Sequence, residues 1–166
     1  EHMKLIKTAI DFSDYDKTYE SILLGDWCLK DCEDILGSID NYRKVPYHWD
    51  DRDKYYRDYS YLDRLYEKTL AQLAVELNKL HAINQDLRYW RIVIGPWLRF
   101  FVDALFDRYE CVRAAKEVGT VTGFALYSYN LDDWCPADFS EFWAHFTSDE
   151  WNEVIFSECL LDQGMA

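Results

Sequence analysis

Three short clusters in the sequence combine side chains that bind or activate ligands. The first is Gly25-Asp26-Trp27, which follows the apolar run Ile22-Leu23-Leu24. A glycine lets a ligand approach the backbone closely, and ligands of open α/β sheets bind beyond the carboxyl ends of strands. We therefore expect Gly25, Asp26 and Trp27 to bind substrate, with Asp26 accepting hydrogen bonds from sugar hydroxyls. An ordinary turn with the tryptophan packed beneath it is the alternative.

The second cluster, residues 47–52, offers an imidazole, two carboxylates, a guanidinium and aromatic rings. Aromatic rings stack on sugars, and a carboxylate or an imidazole can act as a general base. We expect catalytic roles for His48, Asp50 and Asp51, and substrate-binding roles for Trp49 and Arg52. A helix start, with one of the two aspartates as N-cap, is the competing interpretation.

The third cluster is Arg88-Tyr89-Trp90-Arg91, followed by Gly95-Pro96-Trp97. Arg88 and Arg91 are three residues apart and would share a helix face. Two forked guanidinium groups suit a diphosphate or a sugar carboxylate, so both arginines are expected to bind substrate beside Trp97. We expect this cluster and residues 47–52 to line one shared cleft. Internal ion pairing of the arginines is the alternative.

Residue chemistry alone does not identify a reaction. The sequence contains no phosphate-binding glycine loop, no nucleophile elbow and no zinc-binding spacing. We accordingly expect neither a metal site nor a bound cofactor.

The net charge of the chain excludes some classes of binding partner. The formal net charge is −13, from 18 Lys and Arg against 31 Asp and Glu. This charge argues against nucleic acid and against a broad contact with an anionic membrane, although it leaves a local cationic pocket open.

Five cysteines, an odd number without paired zinc spacing, indicate reduced thiols in a cytoplasmic protein. Residues 1–3 are interpreted as a cloning remnant, with no signal peptide after them.

Apolar patterning predicts strands near Leu5–Ile10, at residues 22–24, over Arg43–Tyr47 and over Val121–Tyr129. A leucine stripe at spacings of three and four predicts a helix over residues 59–81.

Asp86 is expected to cap a helix that begins at Leu87, and a second apolar stripe predicts a helix to about Lys116. Pro96 lies either in the first turn of that second helix or at a kink in one longer helix. Further helices are expected after Pro136, and the last of them is capped by Ser148.

This element order predicts a helix-rich α/β fold. It would have a small, mostly parallel, Rossmann-like sheet with long packed helices, in a single domain over residues 4–166. The two central helices could instead pack on each other as an antiparallel pair beside the sheet. An all-α fold is the other alternative.

Several runs resemble a family of bacterial transferases of surface-polysaccharide (O-antigen type) biosynthesis. The resemblance covers most of residues 4–158, and its most specific part is the stretch from Arg88 to Leu98. The runs that carry it are Leu24-Gly25-Asp26-Trp27-Cys28, Pro46-Tyr47-His48-Trp49-Asp50-Asp51-Arg52, Tyr61-Leu62 with Leu65-Tyr66-Glu67, Leu77-Asn78 with His81, Arg88-Tyr89-Trp90-Arg91-Ile92 with Ile94-Gly95-Pro96-Trp97-Leu98, and Ser148-Asp149-Glu150-Trp151-Asn152.

The resemblance implies that the chain is the N-terminal, acceptor-side lobe of a longer two-lobed glycosyltransferase, inactive as this fragment alone. The implied co-substrate is a nucleotide-activated sugar. The implied partners are a glycan or lipid-linked sugar acceptor and a C-terminal lobe of the same chain, with a homodimer as a further option and no nucleic acid. The expected location is the cytoplasm, extending to the inner membrane face. A non-catalytic interaction or dimerisation module is the alternative function, and a small stand-alone enzyme is a third.

Overall fold

The computed structural model describes residues 3–11, 18–30 and 41–165. These residues form two compact units. Unit 1 draws on the stretches Glu1–His48 and Arg108–Ala166, and unit 2 is Trp49–Asp107. The single domain expected over residues 4–166 thus contains two units, and each is described by itself below.

Unit 1 contains a four-stranded sheet made of β1 (Met3–Ile6), β2 (Glu20–Leu23), β3 (Tyr42–Lys44) and β4 (Val121–Phe124). The strand order is β3-β2-β1-β4, and every neighbouring pair is parallel. The predicted helix-rich α/β fold is therefore confirmed, and the all-α alternative is wrong. Met3, which the sequence analysis set aside with residues 1–2, is the first residue of β1. Residues 1–2 lie outside the described residues.

The strands are shorter than the apolar runs that predict them. β1 ends at Ile6, and the next backbone N–H, that of Lys7, donates to Asp11 Oδ2 instead of continuing the sheet ladder. β4 ends at Phe124, five residues before the predicted end, and the Ala125 carbonyl accepts a hydrogen bond from Lys7 Nζ instead of continuing the sheet ladder.

Two helices follow in unit 1. Asp138 caps α4 (Phe139–Phe146), and Ser148 caps α5 (Asp149–Asp162), as predicted, by accepting from the Trp151 N–H at 3.1 Å. The apolar core of this unit joins the sheet to α5 and to the helical residues 108–118, as the most buried side chains show. They are Met3, Leu5, Ile6, Ile22, Leu23, Leu24, Cys28, Val45, Cys111, Val112, Ala115, Phe156, Cys159 and Leu160.

Unit 2 is a helical hairpin. It contains α1 (Arg52–His81), α2 (Leu87–Val93) and the first half of α3 (Gly95–Val118), whose second half belongs to unit 1. α1 starts seven residues earlier than predicted because Asp51 caps it, accepting from the backbone N–H groups of residues 53 and 54. Asp86 caps α2 as predicted, and Pro96 lies in the first turn of α3.

The helices of unit 2 run antiparallel. Contacts move towards the start of α1 as the chain advances through α2 and α3: Trp90 contacts Asn78, Arg91 contacts Glu67, and Arg99 contacts Asp63. Gly95 permits this close approach, since a Cβ there would lie 2.7 Å from the Tyr66 hydroxyl oxygen.

Candidate functional site

The carboxyl ends of all four strands lie at one edge of the sheet, because the strands are parallel. The chain adds β2 and then β3 on one side of β1, and it adds β4 on the other side. The order of the strands therefore reverses between β1 and β4. Ligands of open α/β sheets bind at such a switch point, beyond the carboxyl ends of the strands.

A buried cluster of charged side chains occupies this switch point. Lys7 follows β1, and its Nζ lies 2.6 Å from Glu153 Oε1 and 3.3 Å from Asp11 Oδ2. The same amino group donates to the Ala125 carbonyl after β4 and lies 5.4 Å from the centroid of the Phe124 ring. Lys7 and Asp11 side chains are fully buried, and that of Glu153 is 7% exposed.

Neutral groups complete the cluster. Thr8 Oγ1 donates to Glu153 Oε2 at 2.7 Å, and the Lys7 N–H donates to Asp11 Oδ2 at 2.8 Å. Trp27 Nε1 donates to the Lys7 carbonyl at 2.9 Å, and its ring stacks on Phe156 with centroids 6.0 Å apart. A predicted substrate-binding residue thus reaches the cluster from the end of β2.

The electrostatics of the cluster raise the pKa of one of its carboxyl groups. Burial and the nearby Asp11 charge raise the pKa of Glu153, while Lys7 and Thr8 lower it. Burial also raises the pKa of the adjacent Cys28 thiol to about 12, so this thiol stays protonated and is a poor nucleophile. The cluster can hold charge and position the strand ends, but its buried amino group does not face solvent.

The exposed part of the same edge carries a second charged pair. Asp26 follows β2 and Lys44 ends β3, and Lys44 Nζ lies 2.8 Å from Asp26 Oδ1. The Asp26 side chain is 81% exposed, and that of Lys44 is 48% exposed. Gly25 has extended backbone, and a Cβ on it would lie 2.1 Å from the Trp27 ring. Gly25 therefore lets Trp27 fold back over the strand end while Asp26 points outward.

His48 lies four residues beyond β3, in the part of unit 1 that follows the carboxyl edge. It is 8% exposed, and its ring centroid is 5.0 Å from that of Tyr47. A ring nitrogen of His48 lies within 4.8 Å of Cys111 Sγ, and one lies within 4.8 Å of a Glu110 carboxylate oxygen. These side-chain types bind transition metals, and no spacing in the sequence pointed to their meeting.

The remaining predicted residues lie in unit 2. Asp50 is exposed, and Asp51 uses its Oδ1 to cap α1, as the competing interpretation predicted. Trp49 Nε1 donates to Asp58 at 3.0 Å, while the Arg52 guanidinium lies 5.8 Å from the centroid of the Tyr55 ring. Capping and local packing thus account for most of this segment.

The two arginines of the third cluster have different environments, since Arg91 forms an ion pair and Arg88 is exposed. Arg91 binds both oxygens of Glu67, at 2.6 and 2.7 Å, as the ion-pairing alternative predicted. Trp97 stacks on Phe101 with centroids 5.3 Å apart. Arg88 is exposed and has no hydrogen bond or ion pair with any residue that the structure describes.

Within unit 2, Arg52 and Arg91, which come from the two segments expected to line one cleft, do not lie close together. Glu67, the partner of Arg91, lies fifteen residues after Arg52 on α1. At about 1.5 Å per residue, the two positions are about 22 Å apart. The residues that do converge at the sheet edge are Gly25, Asp26 and Trp27.

Comparison with known proteins supplies the class of the protein. The sequence model of one family, described as LIC12162 family transferase, matches residues 3–165. The chain belongs to the LIC12162 family of transferases. No curated protein and no solved structure matches it. Within the described part of this LIC12162-family chain, no helix has the length and apolar character needed to cross a bilayer.

Sequence reasoning missed the buried cluster of this LIC12162-family transferase. The available signal in the sequence was Lys7, a lysine inside an apolar segment, four residues before Asp11. The other carboxylate that pairs with Lys7, that of Glu153, lies 146 residues further along the chain, and only the fold brings it near. A separate cavity of about 420 Å³, which contains none of the predicted residues, is lined by Lys4, Tyr19, Thr122, Gly123 and Phe124.

Proposed function

We propose that this chain forms the acceptor-side lobe of a glycosyltransferase of bacterial surface carbohydrate biosynthesis, and that the carboxyl edge of its sheet binds the acceptor sugar. Membership of a transferase family supports group transfer. The observation that carries the location is the exposed ion pair between Asp26, which follows β2, and Lys44, the last residue of β3. It lies at the edge where open parallel sheets bind ligands.

The chemistry of the pair suits a sugar. A carboxylate accepts hydrogen bonds from hydroxyl groups, and an ammonium group donates them. Tyr47, after β3, is 40% exposed, and an exposed aromatic ring is suited to stacking on the apolar side of a pyranose. Polar groups of both kinds are typical of small-molecule sites.

In the proposed reaction an acceptor hydroxyl oxygen attacks the anomeric carbon of a nucleotide-activated sugar. The bond to the nucleotide diphosphate breaks, and the diphosphate leaves with the electron pair. The hydroxyl proton passes to a base, for which Asp26 and His48 are the candidates in unit 1. The buried Lys7–Asp11–Glu153 cluster would hold the strand ends in position during transfer.

The test is sugar transfer by the complete protein, with bacterial membranes as the source of acceptor and a set of nucleotide sugars as donors. Asp26→Asn and Lys44→Met are expected to lower kcat/KM at least tenfold, since each removes a charged contact made to the acceptor. Lys30→Met and Asp133→Asn, exposed residues elsewhere in unit 1, are the controls. Unchanged turnover in folded Asp26→Asn and Lys44→Met would remove this edge from the site.

One observation favours the alternative, a non-catalytic interaction module. The face of α2 and early α3 that points away from α1 exposes apolar side chains, with Ile92 69% and Val93 54% exposed. Such a face is typical of a protein contact. Sedimentation across a concentration series tests it: a tight dimer that Ile92→Glu dissociates, in a protein without transfer activity, would favour the module.

A further inference from the structure

The outward face of α1 carries a line of exposed cations. Seven exposed positions recur at spacings of four and three, which places them on one side of the helix. Four of the seven are Lys or Arg, and none is Asp or Glu. The line spans 22 residues, or about 33 Å at 1.5 Å per residue. This basic stripe consists of Arg57, Tyr61, Arg64, Lys68, Ala71, Val75 and Lys79.

Three of the five acidic residues of α1 are engaged on its other sides, whereas Glu76 pairs with Lys79 of the stripe and Asp53 lies one turn before Arg57. Asp63 pairs with Arg99 at 3.2 Å, and Glu67 pairs with Arg91 at 2.6 Å. Asp58 binds Lys54 and Trp49.

Most cations of the stripe are therefore free to bind an external anion. Arg57, Arg64 and Lys68 make no hydrogen bond or ion pair with any residue in the described part of the chain. Lys79 pairs with Glu76 alone among the residues that the structure describes, and both side chains are about two-thirds exposed.

Charge is distributed unevenly between the two units. Unit 2 has nine Lys and Arg against ten Asp and Glu, a net charge of −1, so the remaining residues carry −12 of the total of −13. The overall charge, which argues against a broad anionic contact, therefore resides in unit 1. Unit 2 is nearly neutral, and three of its cations without an ion pair among the described residues, Arg57, Arg64 and Lys68, lie along α1.

We infer that the basic stripe docks on the surface of an anionic phospholipid membrane. A straight line of cations on a long helix fits a flat surface of closely spaced anions, and each Lys or Arg adds to such attraction. Tyr61 and Val75, 47% and 53% exposed, lie within the line and can enter the headgroup region. The stripe and the sheet edge belong to different units, so the inference stands independently of the proposed sugar site.

Co-sedimentation with vesicles tests the inference. The full chain is mixed with vesicles of phosphatidylcholine alone or with 30% phosphatidylglycerol. The stripe variant is Arg57→Glu with Arg64→Glu and Lys68→Glu. The control, Lys30→Glu with Arg113→Glu and Lys116→Glu, changes the net charge equally on exposed residues of unit 1.

We expect binding to the anionic vesicles only, and weaker binding in 0.5 M salt. Three cations, each worth about fivefold near an anionic surface, predict a loss of at least about 100-fold in the stripe variant. The control variant should keep most of its binding. Absence of binding to anionic vesicles, or equal loss in both variants, would overturn the inference. So would a dimer in sedimentation that only the stripe variant disrupts, since a second copy would then cover the stripe.

Discussion

Replacing Lys7 with methionine tests whether the buried cluster at the switch point is an electrostatic unit. Methionine keeps most of the side-chain volume, so the main change is the loss of the ammonium charge. The carboxylates of Asp11 and Glu153, 0% and 7% exposed, lose their shared cation. Removing one partner of a buried ion pair costs about 3–5 kcal/mol in the free energy of unfolding.

The loss of stability caused by Lys7→Met is also expected to depend on pH. Glu153 already has a raised pKa, and loss of the lysine charge raises it further, so the carboxyl group takes up a proton more readily. Protonation relieves part of the cost. The destabilisation by Lys7→Met is therefore expected to be larger at pH 8 than at pH 5.5. Urea unfolding followed by tryptophan fluorescence measures it at both pH values.

Two variants serve as comparisons. Lys30→Met removes a lysine that pairs with Asp149 at 3.5 Å and is 58% exposed, so it should cost no more than about 1 kcal/mol. Lys7→Met combined with Glu153→Gln removes one of the two stranded charges, so the pair should cost less than the sum of the single changes by about 1 kcal/mol or more. A cost for Lys7→Met at pH 8 no greater than that for Lys30→Met would refute the reasoning.

Three further predictions follow from local structure. Asp51→Ala removes the N-cap of α1 and should lower the free energy of unfolding by about 1 kcal/mol in urea titrations, whereas Asp50→Ala should have little effect. Glu153 has a folded-state pKa above its ordinary value of 4.5, so the native state binds the extra proton. Stability should therefore fall as pH rises from 4.5 through the raised pKa, and Glu153→Gln should flatten this dependence in denaturation series; identical slopes would contradict the assignment. In thiol-labelling kinetics the exposed Cys135 should react in the native protein, while the buried Cys28 should react only on unfolding.

Elements with strong local signals were predicted well. The caps Asp86 and Ser148, the late part of α1 and the α/β class follow from side-chain spacing and capping chemistry, which act over a few residues. The leucine stripe placed the start of α1 at residue 59, because the first two turns of the helix are rich in tyrosine and charged residues and lack that stripe. The competing interpretation of residues 47–52, a helix start capped by one of the two aspartates, gave the correct start.

The placement of the candidate residues follows from the sequence only in part, for a reason of geometry. The apolar run Ile22-Leu23-Leu24 predicts that Gly25, Asp26 and Trp27 follow a strand, as they do, while their substrate-binding role stays a prediction. The expected cleft between residues 47–52 and Arg88–Trp97 required knowledge of how far apart the two segments lie along a thirty-residue helix. The meeting of Lys7 with Glu153 depends on packing between residues far apart in the chain, which periodicity does not encode.

The most direct test of the proposed acceptor site is nuclear magnetic resonance of the isotopically labelled chain during titration with a panel of simple, amino and acidic sugars. The account predicts that at least one sugar shifts the backbone amide signals of Gly25, Asp26 and Lys44 and the indole N–H signal of Trp27. Signals of α2 should stay in place. Shifts confined to Arg88 through Trp97, or no shift at the sheet edge with any sugar of the panel, would contradict the placement of the site.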